Sequence, residues 1–369
     1  MSRILMILKT QNLRNDQRVL KEMKSLTDEG ANVNVFVSKN CDTTEEELGY
    51  PMKEINIIGG AAPKNTLIRM IGVVVFYIKC MFYLAFRRKK FDKVWICDPI
   101  MFGLILLIKL FFPKIKVIWD HHELPPKWFI SNKYLMSMFA KAYQKADIII
   151  HANRSRCDYL EENLKIVAQK KIIISNYPAS VNSVATELDE KSMEWLEKNP
   201  KFIYLQNSLQ DNRFGSTVIK KLIDKEIPVF HAGKIDHEYM QKHGLISDFL
   251  YTAGYLSFQQ INFILKNCTG TIILYKQDSL NQIYCDANRL YQAMSLGVPI
   301  LIGDNPTLIE TSTNYRDKLI WKNENIEILD ECLSVFVEKF SDKKKVGDMS
   351  PEAFLWSDYN KDFDYINRS

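Results

Sequence analysis

Two histidines stand between two carboxylates in the segment Trp119–Pro126, which follows a short apolar run. An imidazole can donate or accept a hydrogen bond near neutral pH. Asp120 and Glu123 flank the pair and could orient a ring or anchor the loop. His121 and His122 are adjacent at a predicted strand end, so their side chains point in opposite directions and rarely share one metal ion. The segment therefore predicts imidazole chemistry without a metal.

A helix that follows a polar loop is predicted over residues 287–296, because its apolar residues fall on one helical face. Gly297 caps its end, Pro299 blocks its continuation, and residues 300–302 form a short apolar strand. In a doubly wound sheet, the N-terminus of such a helix attracts anions because free N–H groups and the helix dipole coincide there. We therefore expect an anionic ligand near Asp286–Asn288.

The loop after the first apolar run contains no glycine over residues 10–22. Dinucleotide-binding folds need glycines here so that the backbone can approach the pyrophosphate, and their absence disfavours NAD or FAD in this half. Asn15 or Asp16 can instead cap the following helix. A role limited to capping and surface charge stays open for the polar residues of this loop.

The composition is that of an ordinary globular protein, with 47% hydrophobic and 25% charged residues. A chain of 369 residues is longer than one core comfortably supports, so two domains are expected. The formal net charge is only +5, from 49 basic and 44 acidic residues, and no clustered nucleic-acid motif accompanies it. We therefore predict no nucleic-acid partner.

The seven cysteines are scattered and form no C-x-x-C pair. This usage predicts reduced thiols in a cytoplasmic protein, and it argues against a disulfide framework or a structural zinc site. The apolar run Met1–Leu8 is too short for a signal peptide and is typical of a first parallel strand.

Apolar strand patterns alternate with helical patterns through both halves of the chain. Six strand-like runs lie between Ile4 and Ser175, and five more lie between Phe202 and Ile302, after a polar linker. Alternation of this kind predicts α/β architecture, with parallel sheets covered by helices on both faces. The tail Pro351–Ser369 is predicted to end in a helix.

One run combines basic and apolar residues. Residues 64–90 hold seven basic side chains and no acidic one around the apolar stretch Ile71–Phe86. This stretch is too short to span a bilayer, and Lys79 within it counts against spanning. Two interpretations stay open. The run is either a sheet-packing helix with a solvated basic end, or an interfacial helix on the anionic inner leaflet of the cytoplasmic membrane.

Several segments, in the right order, resemble blocks of the GT4-like nucleotide-sugar glycosyltransferases. Residues 15–22 are similar to their NDPRVLKEA, 119–126 to YDSHELFPE, 204–215 to YxGxLxxxRG, 249–257 to VxFLGYVS, and 287–302 to NKLFEYMAAGLPVI. The resemblance implies the GT-B fold, in which two Rossmann-like doubly wound domains face a central cleft. The implied boundaries are 1–180 for the acceptor-side domain, 181–350 for the nucleotide-sugar domain, and 351–369 for a helix that crosses back.

The resemblance also implies roles in the first half. His122 matches the family histidine that hydrogen-bonds the donor sugar and supports charge at the reacting carbon, with Asp120 and Glu123 beside it. His121 has no family counterpart, because serine is usual there. The family loop that borders donor phosphate and acceptor matches Asn15, Asp16 and Arg18.

In the second half, the resemblance implies a donor-binding set. Arg213 stands where the family places a guanidinium against the pyrophosphate, and Arg289 matches a family lysine. Where the fuller family pattern has two glutamates eight residues apart, this chain has Tyr284 and Gln292. A glutamine carbonyl accepts a ribose hydrogen bond more weakly than a carboxylate does. The other implied donor-binding residues are Lys234, Tyr255 and Asn288.

The implied activity is that of a hexosyltransferase-type glycosyltransferase. It would move a sugar from a UDP- or GDP-linked donor to a hydroxyl of a glycan, lipid-linked or glycoprotein acceptor, with retention of configuration and without a metal. The nucleotide sugar is a substrate, and no cofactor is implied. Two alternatives stay open. One is a nucleotide-sugar 2-epimerase of the same fold, which needs acid–base carboxylates near the sugar, and the other is a non-catalytic scaffold subunit.

Overall fold

The structure is a computed structural model that describes residues 1–10, 13–14, 16–39, 41–58, 65–180, 188–322, 326–340 and 354–369. The chain divides into two compact units. Unit 1 consists of Met1–Ser175 together with Ser357–Ser369, and unit 2 consists of Asn176–Trp356.

Seven parallel strands form the sheet of unit 1. They are β1 (Arg3–Leu8), β2 (Asn32–Ser38), β3 (Met52–Ile55), β4 (Lys93–Cys97), β5 (Lys116–His121), β6 (Ile148–His151) and β7 (Lys171–Ile173). Their order is β3-β2-β1-β4-β5-β6-β7. The helices between them are α1 (Gln17–Asp28), α2 (Glu45–Leu48), α3 (Thr66–Arg87), α4 (Phe102–Phe111), α5 (Lys127–Ile130), α6 (Lys133–Lys145) and α7 (Arg154–Leu164).

Unit 2 repeats this plan with six parallel strands. They are β8 (Ile203–Gln206), β9 (Val229–Ala232), β10 (Leu250–Thr252), β11 (Gly270–Ile273), β12 (Ile300–Gly303) and β13 (Lys318–Trp321), in the order β10-β9-β8-β11-β12-β13. The helices are α8 (Glu190–Lys198), α9 (Gly215–Ile223), α10 (His237–Lys242), α11 (Phe258–Asn267), α12 (Leu280–Ile283), α13 (Asn288–Ser295), α14 (Pro306–Thr311) and α15 (Ile328–Phe340).

The strand order reverses beside the first strand of each sheet. β1 pairs with both β2 and β4, and β8 pairs with both β9 and β11, always in parallel register. In open α/β sheets, ligands bind beyond the carboxyl ends of the strands at such a reversal. A ligand is therefore expected beside the segments that follow β1 and β4 in unit 1, and β8 and β11 in unit 2.

The predicted fold class, doubly wound parallel α/β in two halves, is confirmed. Sequence patterns missed the edge strands β3 and β13. Most of their residues are half-buried or exposed, since an edge strand has a neighbour on one side only. The other eleven strands carry the continuous apolar runs that parallel sheets require, and the nine of them that have neighbours on both sides are nearly all buried.

The last helix of the chain, α16 (Asn360–Arg368), belongs to unit 1 and packs on its amino edge. The Phe363 ring stacks on Trp95 of β4 with ring centroids 6.3 Å apart. The buried Lys93 amine donates to the carbonyl of Asn367 at 2.8 Å, and Asn367 Nδ2 donates to the carbonyl of Glu29 at 2.6 Å. Lys93 thereby satisfies a free carbonyl at the end of α16, where a cation is favoured.

Gly215 is required where the chain enters α9. A Cβ at this position would lie 1.4 Å from the carbonyl oxygen of Ser208, a backbone atom that cannot move alone. We expect Gly215→Ala to lower the free energy of unfolding by about 1–3 kcal/mol, as overpacking does in other cores. Urea denaturation measures this change, and the neighbouring Ser216→Ala serves as the control. Equal stability of Gly215→Ala and the wild type would contradict the close approach of Ser208 to this position.

Candidate functional site

The carboxyl ends of β4 and β5 meet the first turns of α1 in unit 1. Arg18 and Glu22 lie one turn apart on α1. Asp120 is the penultimate residue of β5 and pairs in register with Cys97, the last residue of β4. His122 follows β5 directly. These elements bring together a buried group of ionisable side chains, here called the charge network, which comprises Arg18, Glu22, Cys97, Asp120 and His122.

Short contacts join the members of the charge network. Arg18 Nη2 lies 3.1 Å from Asp120 Oδ1, and Arg18 Nε lies 2.9 Å from Glu22 Oε1. The second oxygen of Asp120 lies 2.6 Å from His122 Nε2, and Glu22 Oε1 lies 3.7 Å from the same nitrogen. The Asp120 and Glu22 side chains are fully buried, and the His122 side chain is 15% exposed. His122 is therefore the member that a ligand can reach.

Burial and mutual charge shift the titration of these groups. Burial raises the pKa of Glu22 to about 7, and the nearby Asp120 adds to the rise. Burial lowers the pKa of His122, but the Asp120 carboxylate outweighs it, so the net pKa lies well above the ordinary value. Burial raises the pKa of Asp120, yet His122 and Arg18 pull it below its usual range. The geometry thus favours an imidazolium held by a carboxylate, a hydrogen-bond donor with a positive charge.

Four groups of the charge network place potential metal-ligand atoms within 4.8 Å of one another: Glu22, Cys97, Asp120 and His122. Two features of the same cluster oppose a bound cation. The guanidinium of Arg18 already contacts both carboxylates. Burial also raises the pKa of the Cys97 thiol, whereas a metal binds the thiolate. The arrangement therefore suits a charge network better than a metal centre.

Asp16 and Glu123 were also predicted for the site, but they are not members of the charge network. Asp16 caps α1, and its side chain accepts from the Val19 N–H at 3.2 Å. Glu123 is exposed. His121 is buried between Trp119 and neighbouring rings, and burial lowers its pKa, so it is a neutral core histidine. Asn15 lies outside the described residues.

Three residues near His122 escaped the sequence reasoning. Glu22 could have been found, because it stands four residues after Arg18, within the block that carries the resemblance. Nothing in the sequence marked Cys97 as a site residue except its position at the end of a predicted strand. Asp98 follows it with φ +76°, a left-handed conformation that is unfavourable for a side chain, and burial raises the pKa of its carboxyl.

In unit 2, two arginines converge on one aromatic ring. The guanidinium carbons of Arg213 and Arg289 lie 5.4 Å and 5.0 Å from the ring centre of Tyr275. Arg213 follows the loop after β8, Arg289 lies in the first turn of α13, and Tyr275 comes just after β11. Each guanidinium is held by the backbone, since Arg213 Nη1 donates to the carbonyl of Asn207 and Arg289 Nη1 to that of Gln206, both at 2.6 Å.

This arginine pair has no neutralising partner within the described part of the chain. No acidic side chain there forms an ion pair with Arg213 or Arg289, and the buried Nε atoms of both, with Nη2 of Arg289, have no hydrogen-bond acceptor. Burial and the charge of Arg289 lower the pKa of Arg213. Burial and Arg289 likewise lower the pKa of His231 to about 4, so its ring is neutral. Two such cations call for an anion.

The start of α13 adds further polar groups beside Arg289. Its N-cap residue, Ala287, offers no side-chain oxygen to the first N–H groups. Asn288 Oδ1 is buried and has no donor. Free N–H groups at a helix N-terminus favour an anionic ligand. The helix N-terminus and the two guanidiniums therefore form one positively charged arrangement that suits an anion, which we call the arginine site.

Other predicted donor residues are placed differently. Gln292 is only 3% exposed, and its amide nitrogen donates to Asn262 Oδ1 at 2.6 Å, which leaves its oxygen as the atom that could accept from a ribose. Tyr284 is half-buried after α12. Lys234 and Tyr255 are exposed. Tyr275 was not predicted, although an aromatic residue at the end of a central strand marks a position where a site could lie.

Solved structures share this architecture along the chain. Sucrose-phosphate synthase from Thermosynechococcus elongatus has a TM-score of 0.73 at 12% identity, over 100% of this chain and 98% of that one. Anabaena HepE in complex with UDP and glucose has a TM-score of 0.71 at 12% identity, over 99% of each chain. A glycosyltransferase from Rickettsia africae has a TM-score of 0.60 at 15% identity, over 100% of this chain and 94% of that one. The chain therefore has the GT-B glycosyltransferase fold.

No family model matches the sequence, and no curated protein matches it. At identities this low, the structural likeness establishes the fold alone.

The buried Glu22 predicts a specific pH dependence of stability. Its pKa rises from 4.5 to about 7 on folding, so its contribution to stability is complete below pH 4.5 and is lost as the pH rises through about 7. We expect the free energy of unfolding of the wild type, relative to Glu22→Gln, to fall by on the order of 3 kcal/mol across this range. Urea denaturation at several pH values measures it.

The exposed Glu46 provides the control, because Glu46→Gln removes a surface carboxylate of α2. Its difference from the wild type should stay flat over the same pH range. A flat difference for Glu22→Gln as well would show that Glu22 carries no such proton.

Proposed function

We propose that this protein is a GT4-like glycosyltransferase that uses a nucleotide diphosphate sugar. The observation that carries the proposal is the arginine site, where Arg213 and Arg289 lie over Tyr275 without an acidic partner among the described residues. Holding two half-buried guanidiniums beside one another costs free energy unless an anion compensates them. A ligand with at least two negative charges fits that requirement.

A diphosphate is the anion that this geometry suits. Each guanidinium presents a planar fork of donors that matches phosphate oxygens, and the N-terminus of α13 adds N–H groups beside Arg289. HepE, which shares the fold, has been solved with UDP and glucose and with UDP-glucose. We therefore infer a nucleotide-sugar donor, with UDP or GDP as its carrier, whose diphosphate binds unit 2.

The charge network of unit 1 would supply the group that acts on the sugar. His122 is its accessible member, and Asp120 holds the ring at 2.6 Å. As an imidazolium, His122 would donate a hydrogen bond to a sugar hydroxyl. Arg18 and Glu22 are positioning residues in this proposal, because they contact Asp120 or His122 and are buried beneath them.

The proposed reaction breaks the bond between the anomeric carbon and the diphosphate oxygen. Positive charge at the arginine site stabilises the negative charge that develops on the leaving diphosphate, so this step needs no metal. The hydroxyl oxygen of the acceptor bonds to the same carbon and gives its proton to the departing phosphate oxygen. We propose that attack occurs on the face from which the diphosphate leaves, so that configuration is retained. A glycan, lipid-linked glycan or glycoprotein would supply the hydroxyl, on the cytoplasmic side of the membrane.

The two alternatives fit the observations less well. An epimerase needs acid–base carboxylates that reach the sugar. Asp120 and Glu22 are fully buried and already paired with Arg18, which leaves the exposed Glu123 as the carboxylate beside His122 that could do so. A non-catalytic scaffold would have no use for an uncompensated pair of cations. An epimerase would bind the same donor diphosphate, so the arginine site separates donor binding from the scaffold, and the epimerase differs only in what acts on the sugar.

Removal of one guanidinium should weaken nucleotide binding. We expect Arg213→Ala to raise the dissociation constant of UDP or GDP about 100-fold, because each charge-assisted hydrogen bond contributes about 1.5–3 kcal/mol. Arg213→Lys keeps the charge but loses the planar fork of donors. Its dissociation constant should therefore lie between those of the wild type and Arg213→Ala. Isothermal titration calorimetry measures these constants. The exposed Arg316→Ala is the charge-matched control, and equal affinity of Arg213→Ala and the wild type would remove the phosphate assignment.

Mass spectrometry of the purified protein with UDP-, GDP- and CMP-sugars separates the candidate functions. Free nucleotide and sugar support transfer, an isomerised donor supports an epimerase, and an unchanged donor that also fails to bind supports a scaffold. We expect His122→Ala to keep its nucleotide affinity and to lose at least about 100-fold in turnover, since one group that stabilises the reacting centre contributes this much in other enzymes. Full turnover by His122→Ala would exclude its proposed role.

A further inference from the structure

The helix α3 is far less buried than its composition requires. By length and composition, one helical segment of the described chain, Met70–Lys90, is long and apolar enough to cross a membrane. It comprises most of α3 and the short turn that follows, and only 22% of it is buried. Its inner face packs on the sheet through Val73, Phe76, Cys80 and Leu84. These positions recur every three or four residues, as expected for one face of a helix.

The opposite face of α3 is an exposed apolar stripe. Its members recur at the same helical spacing, and Val74, Phe82 and Phe86 are 55%, 61% and 83% exposed. The stripe consists of Leu67, Ile71, Val74, Ile78, Phe82 and Phe86 and is called the α3 stripe. Soluble proteins rarely expose a contiguous apolar surface of this kind without a partner.

Basic residues surround the end of the α3 stripe. The helices α3 and α4 both return to the amino edge of the parallel sheet, so Phe86 and the exposed Leu110 and Phe111 come to the same edge. The basic edge there consists of the exposed residues Arg87, Arg88, Lys89, Lys90 and Lys114. A cavity of about 700 Å³ opens among them. Asp92, which also lines this cavity, is paired with Arg3.

The packing of α3 excludes a transmembrane helix. Phe76 and Leu84 are fully buried in unit 1, and the Lys79 amine donates to the carbonyl of Asn56. The helix also provides the connection between β3 and β4. Withdrawal of α3 into a bilayer would therefore dismantle the sheet, so any contact with lipid must use the stripe while α3 stays in place.

We propose that the α3 stripe and the basic edge together dock unit 1 on a membrane surface rich in anionic phospholipid. The apolar side chains enter the boundary between headgroups and acyl chains, and the basic edge lies among the anionic headgroups. Charge complementarity selects this occupant over a second copy of the chain, because two copies that shared the stripe would bring their basic edges near one another.

Vesicle co-sedimentation of the full chain tests this docking, with vesicles of phosphatidylcholine alone or mixed with phosphatidylglycerol. We expect the wild type to bind the mixed vesicles at least about tenfold more strongly than the neutral ones, and high salt to reduce this difference. The apolar variant Ile71→Ser/Val74→Ser/Phe82→Ser and the charge variant Arg87→Glu/Lys89→Glu/Lys114→Glu should each lose at least about tenfold in binding.

Matched controls lie on the exposed surface of unit 2. They are the apolar triple Ile246→Ser/Ile326→Ser/Val335→Ser and the charge triple Lys191→Glu/Lys198→Glu/Lys242→Glu, which should bind the mixed vesicles like the wild type. Unchanged UDP affinity and an unchanged circular dichroism melting curve would show that the α3 variants remain folded. None of the residues substituted in the α3 stripe or the basic edge belongs to the arginine site or the charge network.

Three results would overturn the proposal. One is a wild type that binds neither kind of vesicle, and another is an equal loss of binding in the control triples. The third comes from sedimentation equilibrium, if the wild type is a dimer that the apolar variant converts to a monomer and vesicle binding is absent. In that case the stripe is an interface between copies of the chain.

Discussion

The guanidinium of Arg18 donates to three separate parts of unit 1. It contacts Asp120 at the end of β5, Glu22 on its own helix, and the carbonyl of Ile174 just after β7. A buried cation with these partners is costly to separate from any of them. It thereby fixes α1 against the carboxyl edge of the sheet and sets the position of Asp120, which in turn holds His122. The accessible imidazole depends on a set of buried charges that a ligand does not reach.

The arginine site of unit 2 follows the opposite principle. Arg213 and Arg289 are held in place by backbone carbonyls and by the ring of Tyr275, and their charge is left uncompensated by the described residues. The charges of the first site are paired with one another, whereas those of the second are free for the anion that the proposed function requires. Such preorganised positive charge is what transfer from a diphosphate needs, because the leaving group becomes more negative as the bond breaks.

Gln292 stands where the family pattern has a glutamate, and its packing suits a neutral side chain. It is buried and its amide pairs with that of Asn262, and a neutral pair of this kind needs no counter-charge. A carboxylate at the same position would need donors from a ligand or from the protein. In the proposed function, the ribose contact would therefore be weaker or be made by other groups.

The sequence by itself determined the two parallel α/β sheets, because buried central strands and amphipathic helices are local patterns with fixed periods. It also singled out His122, Arg213 and Arg289 through short motifs. It missed the edge strands β3 and β13, most of whose residues are half-buried or exposed. Only the tertiary structure decided three contacts. Glu22 joins Asp120 in the charge network, Tyr275 lies under both arginines, and the Gln292 amide donates to Asn262. Each of these contacts joins elements that are distant along the chain, so their geometry depends on how sheets and helices pack and not on any local pattern.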